Sequence, residues 1–308
     1  MRHWAVGLAK ATAALLLVVG AALAVAIWHG NREVAPPSLG ERQHAYKQAV
    51  SWIRAHEADI LKDDNAALWW FVQTAAEQAD DDYLRTLVRR FLYQNQGNSR
   101  KGVVWRRFLE PGAEVVLDIS AVRTMEPYHR FFYHALTCVP VELDGIDTNA
   151  FLRNDVCHPQ PTEVWLKDPV CTTHQLVGVM LLQRAGCKPA QELVGLKKDL
   201  LIDIRQQMTV DVVVKDAYLQ RVMMLLWYGG AESVKPVWLQ RVYRAQRADG
   251  GWIGGRQIPE LPEPLQPWFL RAQLANWWPS RFNTASASDF HASAQGLLIT
   301  ALALKAPD

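Results

Sequence analysis

The chain has 308 residues, half of them hydrophobic, with 33 Lys plus Arg against 31 Asp plus Glu. Arg2 and Lys10 are the only charged residues among the first 30, so the rest carries 31 basic and 31 acidic groups. That balance gives no electrostatic ground for nucleic-acid binding.

The first element is an uncharged run of 18 residues, 11–28, rich in Ala, Leu and Val. This is the lower end of what spans a bilayer. Trp4 and Trp28 stand where interfacial aromatics belong, and the preceding positive charge favours a cytoplasmic N-terminus, although Arg32 counts against it. Residues 1–30 therefore read as an uncleaved single-pass anchor in the inner (plasma) membrane, with the bulk of the chain extracytoplasmic. The alternative is a signal peptide cut after Ala22-Leu23-Ala24. Residues 31–40, with Pro36, Pro37 and Gly40, read as a linker. Residues 41–308 form one domain with no interior linker.

Apolar spacing predicts helices from residue 43 on. Residues 45–61 place Ala49, Trp52, Ile53, His56 and Ile60 on one face. Asp63-Asp64-Asn65 is a break and a cap cluster before 66–78, and Asp80-Asp81-Asp82 separates that helix from 83–93. Residues 115–119 are the one plausible strand, 125–138 is helical and aromatic, and 139–170 is a long irregular stretch. Three later helices begin near Thr172, Asp216 and Asp289, each with an ionisable or polar start and a small, apolar body; 189–208 and 236–247 are their partners. Helices apolar nearly all round suit an inner ring flanked by an outer one.

The stretch 238–252 runs from an amphipathic helix through Gln246 into Asp249-Gly250-Gly251-Trp252. Paired glycines give a helix the tight exit that brings the tryptophan back over it. Gln246, Gly250 and Trp252 resemble the Gln…Gly-x-Trp repeat of the terpenoid cyclase and protein prenyltransferase superfamily. The resemblance covers about 65 residues, 238–302, and implies an (α/α) toroid; with the helices counted along the chain, the expectation is an all-α fold, a transmembrane helix followed by a toroid or partial toroid of about four to six hairpins. It does not bring that superfamily's chemistry with it. Neither aspartate run matches the superfamily's acid or diphosphate motifs, and Asp289-x-His291 lacks the cysteine of its zinc site.

In such a toroid, inner-helix ends surround one mouth. His174, Asp216, Asp289 and His291 are then candidates for acid–base chemistry, although Asp216 and Asp289 equally suit helix caps. Tyr218, Trp252, Trp268, Trp277 and Trp278 are candidates for ligand contact, because aromatic faces stack on sugar rings; with 13 tryptophans in the chain, burial in the core is the competing role. Four cysteines, Cys138, Cys157, Cys171 and Cys187, suit disulfides in an oxidising compartment, with Cys157–Cys171 and Cys138–Cys187 as one pairing of three. A zinc site using Cys157, His158, Cys171 and His174 is a weaker alternative. No phosphate loop, dinucleotide fingerprint or nucleophile elbow occurs, so no cofactor is expected. The expectation is a membrane-anchored protein that binds or processes an envelope glycan. A non-catalytic module for a peptide or partner protein is the alternative, and a lipid or isoprenoid ligand a third.

Overall fold

A computed structural model describes residues 2–95, 104–115, 122–123, 125–143, 146–153, 170–211, 213–254 and 287–306. Most of the expected strand at 115–119 lies outside these. The regular structure of the described residues is helical apart from one two-residue antiparallel ladder, Glu142–Leu143 with Ile146–Asp147.

Helix α1, Arg2–Asn31, contains a 20-residue stretch, Thr12–Asn31, long and apolar enough to cross a membrane. Between Thr12 and Trp28 nearly all of its side chains are exposed, Leu17 by 74% and Trp28 by 67%. Only its last residues dock. Gly30 is buried, and the Asn31 amide donates to the Thr209 carbonyl at 2.7 Å and accepts from Lys235 Nζ and Trp238 Nε1 at 3.3 Å. The expected linker is also tied down, because Pro37 is buried and the Ala35 carbonyl accepts from Gln240 at 2.8 Å.

Helix α2, Leu39–Ala55, starts at a capping box in which Ser38 and Glu41 satisfy each other's backbone N–H groups. It stops earlier than its apolar pattern suggests. His56 stacks on Trp52 at 4.3 Å and its Nδ1 lies 2.9 Å from the Trp52 carbonyl, leaving only the short α3, Glu57–Ile60, beyond. Helices α4, Ala66–Ala79, and α5, Asp82–Gln94, begin where the polar clusters predict, capped by Asn65 and Asp81. Then come a 3-10 turn, Arg106–Phe108, and α6, Pro127–Thr137. Helix α7 is Cys171–Arg184, α8 Ala190–Val210, and α9 Asp216–Met224 with a π-turn, Leu225–Gly229; α10 is Pro236–Ala245 and α11 Phe290–Ala303.

Helix α11 has no polar stripe and is buried along nearly its whole length against α2, α4 and α9. Helix–helix contact runs on from α9 to α7 and from α7 to α6. Phe108 touches both ends of this run, 5.7 Å from Trp70 of α4 and 5.9 Å from Phe132 of α6. Helix α8 packs on α7 and α9, and α5 on α4. Arg42 of α2 donates to the Ala303 carbonyl at the end of α11 at 3.1 Å. Within α9, Arg221 is fully buried but compensated: it pairs with Asp211 and donates to Gln207 at 3.0 Å, and Gln207 donates to Thr172 at 2.9 Å.

The Gln246–Trp252 stretch is a structural clasp. Gln246 Nε2 donates to the carbonyls of Gly250 and Ala45, both at 2.9 Å, which joins the turn to α2. Gly250 has φ +93°, and a Cβ there would fall 2.2 Å from the Gln48 carbonyl oxygen, so only glycine fits. Trp252 is 1% exposed and donates from Nε1 to the Val242 carbonyl at 2.9 Å. The expected Cys138–Cys187 disulfide is present, joining the ends of α6 and α7. Cys171 is also disulfide-bonded; Cys157, its expected partner, lies outside the described residues.

Candidate functional site

The first turns of α4, α6, α7 and α11 border a cavity of about 600 Å³, of a size that suits a small ligand. Three of the four begin there for a local reason. Asn65 caps α4, Pro127 presets the backbone of α6, and Asp289 caps α11. The wall is aromatic: Phe71 of α4, Phe91 of α5, Trp105 and Phe108 of the 3-10 region, and Tyr128 and Phe132 of α6. Asp64, Asn65, Asn95, Arg106, His129, His174, Gln220 and His291 bring polar groups to it.

The imidazoles differ in setting. His174 stacks on Tyr128 with ring centroids 4.4 Å apart, and its Nδ1 is buried without a hydrogen-bond partner. Burial pushes its pKa down to about 4, and the nearby His129 and His291 push the same way against the Val170 carbonyl. His129, 4.1 Å from Tyr128 and edge-on to Trp105 at 6.1 Å, is also lowered by burial, with Glu126 opposing. Both rings are therefore held neutral near pH 7. His291 is half exposed, and its Nε2 stands 3.3 Å from Asp216 Oδ1. The same carboxylate oxygen accepts from Gln295 Nε2 at 2.9 Å, so Asp216 is held between two side chains of α11.

The structure thus brings three of the four expected acid–base residues to one place. His174 and His291 line the cavity, and Asp216 reaches it through His291. Asp289 stands apart: its two carboxylate oxygens accept from the N–H groups of Ala292 at 2.9 Å and Gly254 at 2.6 Å, the work of a helix cap. Two expected ligand-contact residues are core instead. Tyr218 is fully buried, with its hydroxyl donating to the Trp238 carbonyl at 3.3 Å beneath the Arg241 guanidinium, and burial holds its phenol far above its ordinary pKa. Trp252 is seated against Gly296. Trp69 and Trp70 are buried as well. Trp268, Trp277 and Trp278 lie outside the described residues.

Tyr128, His129, Trp105, Asp64 and Gln220 were not expected. The signal that singles out His174 and His291, an ionisable residue in the first turn of an apolar helix, applies equally to His129. Among the described residues no group of three or more His, Cys, Asp or Glu side chains could hold a metal ion, and the disulfide at Cys171 removes the thiolate that a zinc site there would need.

The chain matches no protein-family model, no curated protein and no solved structure.

Proposed function

We propose that this protein is a membrane-anchored, extracytoplasmic helical domain of partial-toroid type whose cavity binds an envelope glycan and transfers a proton on it. The observation that carries this reading is the Asp216–His291 pair at an aromatic-walled cavity of about 600 Å³.

The toroid reading is supported by the contact run α4–α11–α9–α7–α6, with α2, α5, α8 and α10 packed against it, and by the Gln246–Trp252 clasp. The extracytoplasmic reading is supported by the Cys138–Cys187 disulfide, since such bonds persist in oxidising compartments. The basic residues Arg2 and Lys10 ahead of the apolar stretch agree with it.

The chemistry follows from the pair. With Nε2 facing the Asp216 carboxylate, the His291 proton sits on that nitrogen and Nδ1 is left as the acceptor. A sugar hydroxyl or water at Nδ1 would pass its proton there, and Asp216 would stabilise the imidazolium formed. His174 is too weak a base for this step near neutrality, and its unpartnered Nδ1 is suited to receive a ligand hydroxyl. Trp105 and Tyr128 offer faces to a sugar ring. Among the described residues Asp64 is the one carboxylate lining the cavity, so the arrangement favours a single base over the paired carboxylates of glycoside hydrolysis.

One observation favours the binding-only alternative: the acid and base here bond to each other and do not face across a gap. The test takes full-length protein in detergent micelles and a panel of hexosamine and glucan oligosaccharides, with binding read by calorimetry and products by mass spectrometry. Asp216→Asn and His291→Gln should each cost on the order of 10²-fold or more in turnover, with the far-UV spectrum unchanged. Binding without turnover, indifferent to both variants, would leave a binding module. No binding by any panel member would sink the glycan reading.

A further inference from the structure

The cavity has an unequal charge balance. Four side chains that carry or can gain positive charge line it from four elements: Arg106, His129 of α6, His174 of α7 and His291 of α11. Among the described residues one carboxylate, Asp64, lines it beside them. Arg106 is answered by Glu110, and His291 by Asp216. Glu126 acts on His129 through charge alone, and among the described residues the buried Nδ1 of His174 has no hydrogen-bond partner and no carboxylate beside it, only the Val170 carbonyl acting on its ring.

We propose that the cavity seats an acidic saccharide, with its carboxylate or phosphate against His129 and His174 and its ring against Trp105 and Tyr128, and that one proton is taken up as it binds. This rests on the glycan reading above and narrows it.

The physical reason is the cost of an unpaired charge. An imidazolium at His174 would sit in a low-dielectric wall beside His129 and His291 with no counter-ion among the described residues, so the empty cavity keeps the ring neutral. An anion supplies the missing counter-ion. It stabilises the protonated ring, and by reciprocity the proton stabilises the bound anion. The first turns of α6 and α7 add the positive ends of two helix dipoles at the same place. Among the described residues the opposing groups of the neighbouring elements are Asp64 ahead of α4, Glu110 after the 3-10 turn, Glu126 before α6, and Asp216 at the start of α9. Of these, Asp64 alone lines the cavity.

Calorimetry on the full-length protein in detergent micelles tests this with three probes: a glucuronic-acid oligosaccharide, the glucose oligosaccharide of equal length, and inorganic phosphate. The glucuronic-acid probe should bind more tightly than its neutral counterpart. Its Kd should fall as the pH falls from 7 to 5, by at most about tenfold per pH unit for one linked proton. The heat should vary with the ionisation enthalpy of the buffer as uptake of one proton requires. His174→Gln should flatten the pH dependence; the buffer experiment on the unsubstituted protein decides the matter even if that variant fails to fold. Phosphate binding with proton uptake, while the glucuronic-acid probe stays unbound, would assign the anion as phosphate. Equal affinity for acidic and neutral probes without proton uptake would overturn the inference and leave the glycan reading standing. Failure of all three probes would overturn the inference, and the glycan reading falls with it only if the hexosamine and glucan panel also fails to bind.

Discussion

Replacing Gly296 by Ala is expected to destabilise the fold even though alanine is the better helix former. Gly296 lies in the middle of α11, where propensity alone would favour Ala by about 0.5–1 kcal/mol. A Cβ at this position would stand 2.3, 2.5 and 2.6 Å from Cε3, Cδ2 and Cζ3 of Trp252. The indole has nowhere to go. Its backbone N–H donates to Ser293 Oγ at 3.0 Å and its Nε1 to the Val242 carbonyl at 2.9 Å, so it is pinned at two points. Overpacking a tight core usually costs about 1–3 kcal/mol, and a ring held at both ends belongs in the upper half of that range. After the propensity gain, the net loss should be about 2 kcal/mol. Gly195 of α8 is the internal control. It is exposed, and an added Cβ would meet nothing within 4 Å, so Gly195→Ala should gain about 0.5–1 kcal/mol. Urea unfolding of the full-length variants in micelles, followed by tryptophan fluorescence, should show midpoints moving in opposite directions at constant slope. If Gly296→Ala is as stable as Gly195→Ala, Trp252 is not packed against α11 as described and the clasp argument fails.

Two further outcomes concern the whole domain. His174 has a folded-state pKa of about 4 against an ordinary 6.5, so the unfolded chain takes the proton first. The stability this provides is complete above pH 6.5 and declines as the pH falls toward 4, by about 3 kcal/mol in all. His174→Gln should therefore shift the acid-unfolding midpoint downward, and an identical acid limb in both proteins would refute the burial assigned to this ring. The Cys138–Cys187 bond closes a sequence separation of 49, for which chain entropy alone suggests about 4 kcal/mol. The double variant Cys138→Ser/Cys187→Ser should lower the urea midpoint accordingly. An unchanged midpoint would mean that α6 and α7 are held together without the bond.

Much of the local structure was legible because it depends on neighbours in the chain. The apolar run within α1 shows in composition, since a bilayer selects for length and absence of charge. Asn65, Asp81 and Asp289 announce helix starts because a short polar side chain satisfies its own helix's N–H groups. The clasp was visible as Gln246, Gly250 and Trp252, because a left-handed turn admits so few residues at Gly250. How residues 31–40, read as a linker, are held was not legible, for the opposite reason. Asn31 is held by Thr209, Lys235 and Trp238 and Ala35 by Gln240, all about 180–210 positions away, and no local pattern encodes that.

The site divides in the same way. Type and position marked His174, Asp216 and His291 as first-turn ionisable residues, and the same criterion covers Asp289 and His129. Only the tertiary structure decided that Asp289 spends both oxygens on backbone N–H groups, that Tyr218 and Trp252 are core, and that His129 faces the cavity. A first-turn side chain can cap its own helix, pack inward or face a shared space, and these outcomes differ by a rotation of the helix about its axis. Sequence determined that such residues stand at helix starts; which way each helix turns them is set by the neighbours it packs against.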